Sequence, residues 1–405
     1  MILIKIAFRN IFRQKRRTFL TALTIFGGFT LAAISIGWSD GTYSYTIDMF
    51  TRNQMGHIQI HKKGYLDKPA IYKTVDDYED IGKSIEGLNH LESWAPRLYT
   101  SGLVSVGDKT SGARIIGIDP RLENAATKFN KKIAKGNPFD KSQSAQAILG
   151  KGLMEILRAD IGDSVIIVSQ AADGSIANDI YRITGEVESG DEISDRLSLY
   201  LPLSVAQDLF VLDGRIHEIA IIADDLSEVD ALTAEIKHKI DNPDLSIQPW
   251  QEFAKQFYVA MKADKQGSWI MIFVIILIVA VGVLNTVLMT VLERIREYGV
   301  LKAVGTRPGQ IFKLILIETN FIAIGSIIAG IIASTIINYL LSIKGITIPG
   351  AITYGGVQFD KAYSEVSLIS LYIPAITVLV TASLVSIIPG IKAARTSPSK
   401  AMRTH

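Results

Sequence analysis

Cysteine is missing from all 405 residues, so no disulfide can staple any part of the chain, and each folded part has to be held by its own core. Charge is sparse as well. Only 20% of the residues are Asp, Glu, Lys or Arg, and a formal net charge of +2 speaks against a nucleic-acid partner. Nucleotide-binding and catalytic signatures are lacking too. The stretch "DIGKSIEG" contains Gly-Lys-Ser, but a phosphate-cradling loop needs a glycine five residues before Gly82, and Asp77 stands there. Of six histidines, His57 and His61 lie in a strand-like stretch, about 13 Å apart at ~3.3 Å per residue, too far to share a metal. His217-Glu218 does not begin a zinc-type H-E-x-x-H, and no Gly-x-Ser-x-Gly elbow occurs. Surface histidines are the expectation, with no catalytic and no metal residues.

What is present in excess is apolar sequence, 48% of the residues. Uncharged runs at 18–38, 268–292, 319–343 and 366–391 each reach the ~20 residues that cross a hydrocarbon core as a helix. The first follows "KRR" as a secretory signal would. Its apolar run is longer than the usual ~7–15 residues and no small-x-small site ends it, so an uncleaved anchor is expected. Ionisable groups are nearly absent from the spans; Glu318, near one end of the third, can stay wet or pair with Lys313 or Arg294. An ion-driven carrier keeps such groups near the midplane, so that class is disfavoured.

Basic residues set the expected orientation. Lys5, Arg9, Arg13, Lys15, Arg16 and Arg17 precede the first span; Arg294, Arg296, Lys302, Arg307 and Lys313 separate the second and third; Lys392, Arg395, Lys400 and Arg403 follow the fourth. All three segments are predicted cytoplasmic, which exports the long segment between the first two spans. The opening residues place Ile4, Ala7, Phe8 and Ile11 on one helical side and a basic stripe on another, as an interfacial helix does. The same charges also serve as a topology signal.

The exported segment mixes periods. "GHIQIHKKG" alternates as a strand, "TSGLVSVGDKTSGARIIGIDP" reads as a hairpin, and "DIYRITGEVES", "SLYLPLS" and "RIHEIAIIAD" read as further strands. "GKGLMEILRADIGDSVIIV" reads as a helix, a turn and a strand, and "LSEVDALTAEIKHKI" as a helix capped by Ser227 with Asp230 at the box position. "QPWQEFAKQFYVAMKADKQGSWIMIF" is expected to be a helical stalk leading into the second span. Thr24, Gly28 and Ala32, like Ser326, Gly330 and Ser334, recur every four residues and let helices approach closely, within one subunit or between two.

Between the second and third spans stands "RIREYGVLKAVGTRPGQIF". Glu293 can pair with Arg296, or Glu297 with Arg294, each for a few tenths of a kcal/mol; Ile295, Leu301 and Val304 give an apolar side; Gly305 and Pro308 break the helix. By itself this is a cytoplasmic helix with a bend. Extended to "ERIREYGVLKAVGTRPGQIFKLILIE", the stretch is similar to the signature of FtsX-like permeases, the membrane subunits of MacB-type (type VII) ABC transporters that include the lipoprotein-releasing LolC and LolE proteins. The matching residues are Arg296, Glu297, Gly299, Lys302, Ala303, Gly305, Gln310 and Glu318. The tail "IPGIKAARTSPSKAMR" resembles the family's ending at Pro389, Ala394, Pro398, Ala401 and Arg403, and "GKGLMEILRADIGDSV", "IIGIDP" and "PWQEF" resemble its periplasmic core.

The resemblance implies an α-helical membrane protein with four transmembrane helices and an exported α+β domain of the MacB type inserted between helices 1 and 2. Its parts are a cytoplasmic amphipathic helix (1–17), spans at 18–38, 268–292, 314–343 and 366–391, a periplasmic domain with stalk (39–267), a coupling helix (293–313), a short periplasmic loop (344–365) and a cytoplasmic tail (392–405). It further implies a bacterial inner-membrane location and a dimer of like or related permeases, with Thr24, Gly28 and Ala32 near the seam. The coupling helix, with Arg294, Arg296, Glu297, Gly299, Lys302, Ala303, Gly305 and Gln310, would dock on a separate cytoplasmic ABC ATPase dimer that holds ATP and magnesium, leaving this chain without a cofactor. The implied work is mechanotransmission, for lipoprotein release with membrane lipid, a lipoprotein cargo and a periplasmic carrier as further partners. The alternatives are efflux of a peptide, drug or toxin, FtsX-like activation of a periplasmic partner, and a membrane-anchored sensor.

Overall fold

The computed structural model describes residues 2–13, 15–140, 145–354 and 357–397. The chain divides into two compact units, one of residues 1–43, 262–347 and 361–405, the other of 44–261 and 348–360.

The first unit is built on long apolar helices. A short helix α1 (Ile2–Arg13) precedes α2 (Lys15–Phe50), followed by α3 (Lys255–Glu293), α4 (Ile295–Ala303), α5 (Pro308–Lys344) and α6 (Leu368–Arg395). Four of them, α2, α3, α5 and α6, are long and apolar enough to cross a membrane. Their buried seam joins Ile25 and Phe29 of α2 to Val279 and Val283 of α3, Ile311 and Ala323 of α5, and Val378 and Ala382 of α6. In the bilayer no water is released by burying such side chains, so close packing and interhelical hydrogen bonds supply the attraction. Small residues do this here. A Cβ on Gly28 would overlap Cγ2 of Val279, one on Gly282 would come within 2.6 Å of Thr24 Cγ2, and Ala32 is buried. The Thr24, Gly28 and Ala32 stripe therefore packs inside this chain, and Gly330 meets Phe29 in the same way. Asn338, fully buried, donates to the Ala33 carbonyl at 3.3 Å and accepts from Ser364 at 3.1 Å.

Gly28→Leu is expected to cost at least the ~1–3 kcal/mol of an overpacked core. Thermal unfolding in detergent should show a clear drop in midpoint, and adding Val279→Ala should recover most of it.

The second unit is a mixed sheet. Its strands are β1 (Ile58–Lys62), β2 (Leu91–Val106), β3 (Lys109–Ile118), β4 (Ile133–Gly136), β5 (Gln146–Gly150), β6 (Ser164–Gln170), β7 (Ile176–Val187), β8 (Ser198–Pro202), β9 (Glu218–Ala223) and β10 (Leu245–Pro249). They run in the order β10-β1-β9-β2-β3-β8-β5-β7-β4, with β6 pairing β2 and β7. Strand β9 is buried at every residue, which is why "EIAIIA" reads as a continuous apolar run rather than an alternation. Helices Pro120–Thr127, Lys151–Leu157, Leu203–Phe210 and Val229–Ile240 accompany the strands. The 2–3 hairpin turns where the glycine-containing "VGDK" predicts, with ten paired positions from Val106–Lys109 to Arg97–Ile118.

Three local expectations fail. Ser227 is no helix cap: Asp225 accepts from the Ser227 backbone N–H and hydroxyl at 2.8 Å, so a short 3-10 turn precedes the helix and takes the capping aspartate one turn earlier. The stalk helix is interrupted, with Trp250–Phe253 separate from α3 at Ala254. His90 and His238 are exposed as expected, but three other histidines are not on the surface. His57, His61 and His217 are buried: His57 accepts the Ala223 backbone N–H at Nδ1 (3.0 Å), and His61 lies on β1, whose residues are buried on both faces of the strand.

His217 accepts the Tyr99 backbone N–H at Nδ1 (3.1 Å) and places Nε2 3.1 Å from the Ile71 carbonyl, a pairing that needs the neutral ring. Burial pushes its pKa down to about 4. The unfolded chain, titrating near 6.5, then binds the extra proton first, so the stability due to the neutral ring is complete above ~6.5 and is lost as pH falls toward 4. Acid unfolding should show up to about 3 kcal/mol of this loss, and His217→Gln should flatten the slope between pH 6.5 and 4.5.

Candidate functional site

The segment joining α3 to α5 is shaped by its punctuation. Helix α3 ends at Glu293, Arg294 leaves helical geometry (φ −94°, ψ 9°), and α4 begins at Ile295. Gly305, at φ +105°, turns the chain after α4 in a conformation that side chains rarely allow. Pro308 then opens α5 at its first position, and the Gln310 side chain accepts the Arg307 backbone N–H at 2.9 Å.

A charge network fixes α4 from behind. Arg294, 6% exposed, donates from Nε to Glu297 at 2.9 Å and from Nη1 to both carboxylate oxygens of Glu318 at 3.1 Å, and its guanidinium lies 5.4 Å from the Tyr298 ring centre. Arg13, at the end of α1, pairs with Glu297 at 3.4 Å, Arg17 pairs with Glu293, and Asn10 reaches Glu318 at 3.5 Å. Tyr298 is 1% exposed and belongs to the apolar seam of the helices. Lys302 donates from Nζ to the carbonyls of Ala394 (2.8 Å) and Thr396 (2.7 Å), where the end of α6 leaves carbonyls without helical partners.

The eight residues predicted to carry coupling thus separate. Arg294, Glu297 and Lys302 hold α4 to its own chain and Gly299 is buried, whereas Arg296, Ala303, Gly305 and Gln310 are exposed. Of the alternative pairs, Arg294–Glu297 forms and Glu293 turns to Arg17 instead of Arg296, while Glu318 takes Arg294 instead of Lys313. The expected apolar side is also redistributed. Leu301 packs on the seam, but Val304 is 82% exposed and Val300 is 52% exposed one turn earlier, so an apolar pair faces outward beside Arg307. Val300 and Tyr298 were not singled out by the sequence; the four-residue spacing of the two valines was the available signal. Pro398, Lys400, Ala401 and Arg403 of the tail lie outside the described residues. Among the described residues no cluster of three or more His, Asp or Glu could hold a metal ion.

Four membrane-length helices, a mixed sheet domain and a short braced helix between two spans define a membrane permease subunit. Residues 18–239 match the MacB-like periplasmic core domain, and residues 269–398 match the FtsX-like permease C-terminal domain. The chain belongs to this family of FtsX-like permeases with a MacB-like periplasmic core, the permeases of ABC transporters of the MacB and LolC type. It is 20% identical to the lipoprotein-releasing system transmembrane protein LolC of Neisseria meningitidis serogroup B, over 98% of both chains. It is 25% identical to the ABC transporter permease YtrF of Bacillus subtilis, over 98% of this chain and 95% of that one. Against the macrolide export ATP-binding/permease protein MacB of Vibrio parahaemolyticus identity is 24%, over 84% of this chain and 53% of that protein.

Proposed function

We propose that this chain is the lever of an inner-membrane lipoprotein-release system: a partner ATPase dimer, carrying ATP and magnesium, docks on α4 and the following turn, and its motion is passed through the spans to the exported sheet domain. The observation that carries this reading is the outward apolar pair Val300 and Val304, presented on a helix held from behind by Arg294, Tyr298 and Lys302. An exposed apolar patch rimmed by charge marks a protein contact, and a rigid mount is what lets a contact transmit displacement. Basic residues at both termini and around α4 support a cytoplasmic position for them, with the sheet domain, between the first two spans in sequence, on the periplasmic side. A second permease subunit completes the assembly. End-to-end alignment with a lipoprotein-releasing protein supports the choice of cargo, delivered from bilayer to a periplasmic carrier. Export of a peptide, drug or toxin is the second reading, favoured by the match to a macrolide exporter over 84% of this chain.

Val300→Asp with Val304→Asp should weaken co-purification of the ATPase at least tenfold without lowering the thermal midpoint, because both side chains are exposed. Undiminished recovery of the ATPase would remove α4 as its docking site. Mass spectrometry of the molecules bound to the purified complex separates the cargos: a triacylated protein for the first reading, a soluble peptide or drug for the second.

A further inference from the structure

The sheet domain has an open cavity of about 610 Å³, within the ~300–1,000 Å³ typical of small-ligand sites, and no part of the coupling reading uses it. Its floor is a buried charge network. Arg97 donates from Nε and Nη2 to Glu123 at 2.9 and 2.8 Å and from Nη1 to Glu218 at 3.0 Å; Tyr99 also donates to Glu218, at 3.1 Å. Burying so much charge stabilises a fold weakly, if at all, so its presence against an open cavity points to a ligand. Arg97 and the two carboxylates satisfy one another. Burial would raise the Glu123 carboxyl, but Arg97, with Lys132 and Thr127, outweighs it and holds the pKa below the ordinary value.

Arg114, on β3, is differently placed. It lines the cavity, donates to the neutral hydroxyl of Ser194 at 3.0 Å, and forms no salt bridge among the described residues. The rings of Tyr65, Tyr99 and Tyr200 line the same space within reach of its charge. Burial raises all three phenols, Tyr200 to about 12, so they remain protonated at neutral pH. Three cations, Arg97, Arg114 and Lys132, face two carboxylates across the cavity, an excess of one positive charge. Ile116, Ile118, Phe129 and Phe253 are among the apolar residues of the wall.

We propose that this cavity binds a small monocarboxylate with an apolar body, its carboxylate on the Arg114 fork and its hydrocarbon against Ile116, Phe129 and Phe253. A guanidinium matches a carboxylate with two parallel hydrogen bonds, and the single excess charge selects a monoanion over a cation or a neutral analogue. The site is in the sheet domain alone and stands whether or not α4 docks an ATPase.

Octanoate, octylamine and octanol are the probes, titrated calorimetrically into the full chain in zwitterionic nanodiscs with empty nanodiscs subtracted. Octanoate should bind at one per chain, and octylamine should not bind. Arg114→Gln should weaken octanoate at least tenfold and leave octanol within twofold; its exposed position spares the fold. Thr100→Trp, which fills the cavity from its lining, should abolish octanoate binding. Absence of octanoate binding, equal binding of octylamine, or octanoate affinity within twofold of wild type in both variants would overturn the assignment.

Discussion

Arg294→Met is expected to destabilise the helical unit by about 3–5 kcal/mol, the usual cost of removing one partner from a buried ion pair. The size follows from what is left behind. Glu318 loses both hydrogen bonds at 3.1 Å in a setting where its side chain is only 13% exposed, and Asn10, at 3.5 Å, is too distant to replace them. Glu297 suffers less, since it is 39% exposed and keeps Arg13. The paired replacement Arg294→Met with Glu318→Leu removes both charges, and similar-volume apolar substitutes for buried pairs are often neutral. Thermal unfolding in detergent should therefore show a large loss for the single variant and recovery of more than half of it in the double. A single-variant cost under ~0.5 kcal/mol, as for a surface pair, would mean that Arg294 does not brace α4.

Gly305→Val is expected to reduce transport-coupled ATP hydrolysis at least tenfold while leaving the thermal midpoint of the sheet domain unchanged. A Cβ at Gly305 would meet nothing within 4 Å, so crowding is not the cause. The cause is the backbone: φ of +105° is strained for any L side chain and most for a β-branched one, at a cost on the order of 1–3 kcal/mol. The turn relieves that strain by changing course between α4 and Pro308, which displaces Val300 and Val304 relative to α5. Gly305→Asn, which tolerates positive φ better, should lose less activity. Reconstituted complexes with the partner ATPase provide the comparison, and equal coupled rates for valine and glycine would show that this turn does not control docking.

Much of this arrangement could be read from the residues in order. The four long helices announce themselves by uncharged length, the break before α5 by Gly305 and Pro308, and the hairpin by its turn. What could not be read depends on partners far away in the chain. Nothing near Glu293 indicates that Arg17 will outcompete Arg296, and nothing near Lys302 indicates that the end of α6 will present carbonyls to it. Three of the histidines, His57, His61 and His217, were misplaced for a related reason. A polar side chain on an alternating strand suggests a solvent face, but β1 is buried on both faces and the imidazoles find buried backbone partners. Helical periodicity also put Val304 on the inward side with Leu301, whereas α4 ends at Ala303 and Val304, its C-cap, already leaves helical geometry (φ −85°, ψ 1°) and is exposed.

The absence of native cysteine allows the central claim to be measured directly, since spin labels can be attached only where they are introduced. With Lys109→Cys in the sheet domain and Lys344→Cys at the end of α5, both exposed or half-exposed, the distance between labels is recorded by pulsed electron resonance in the complex with its ATPase, before and after trapping with ATP and vanadate. If this chain transmits the motor's stroke, the distribution shifts on trapping, and the shift disappears when Val300→Asp and Val304→Asp are added. A distribution that is the same with and without trapped nucleotide, in a complex that hydrolyses ATP, would contradict the account.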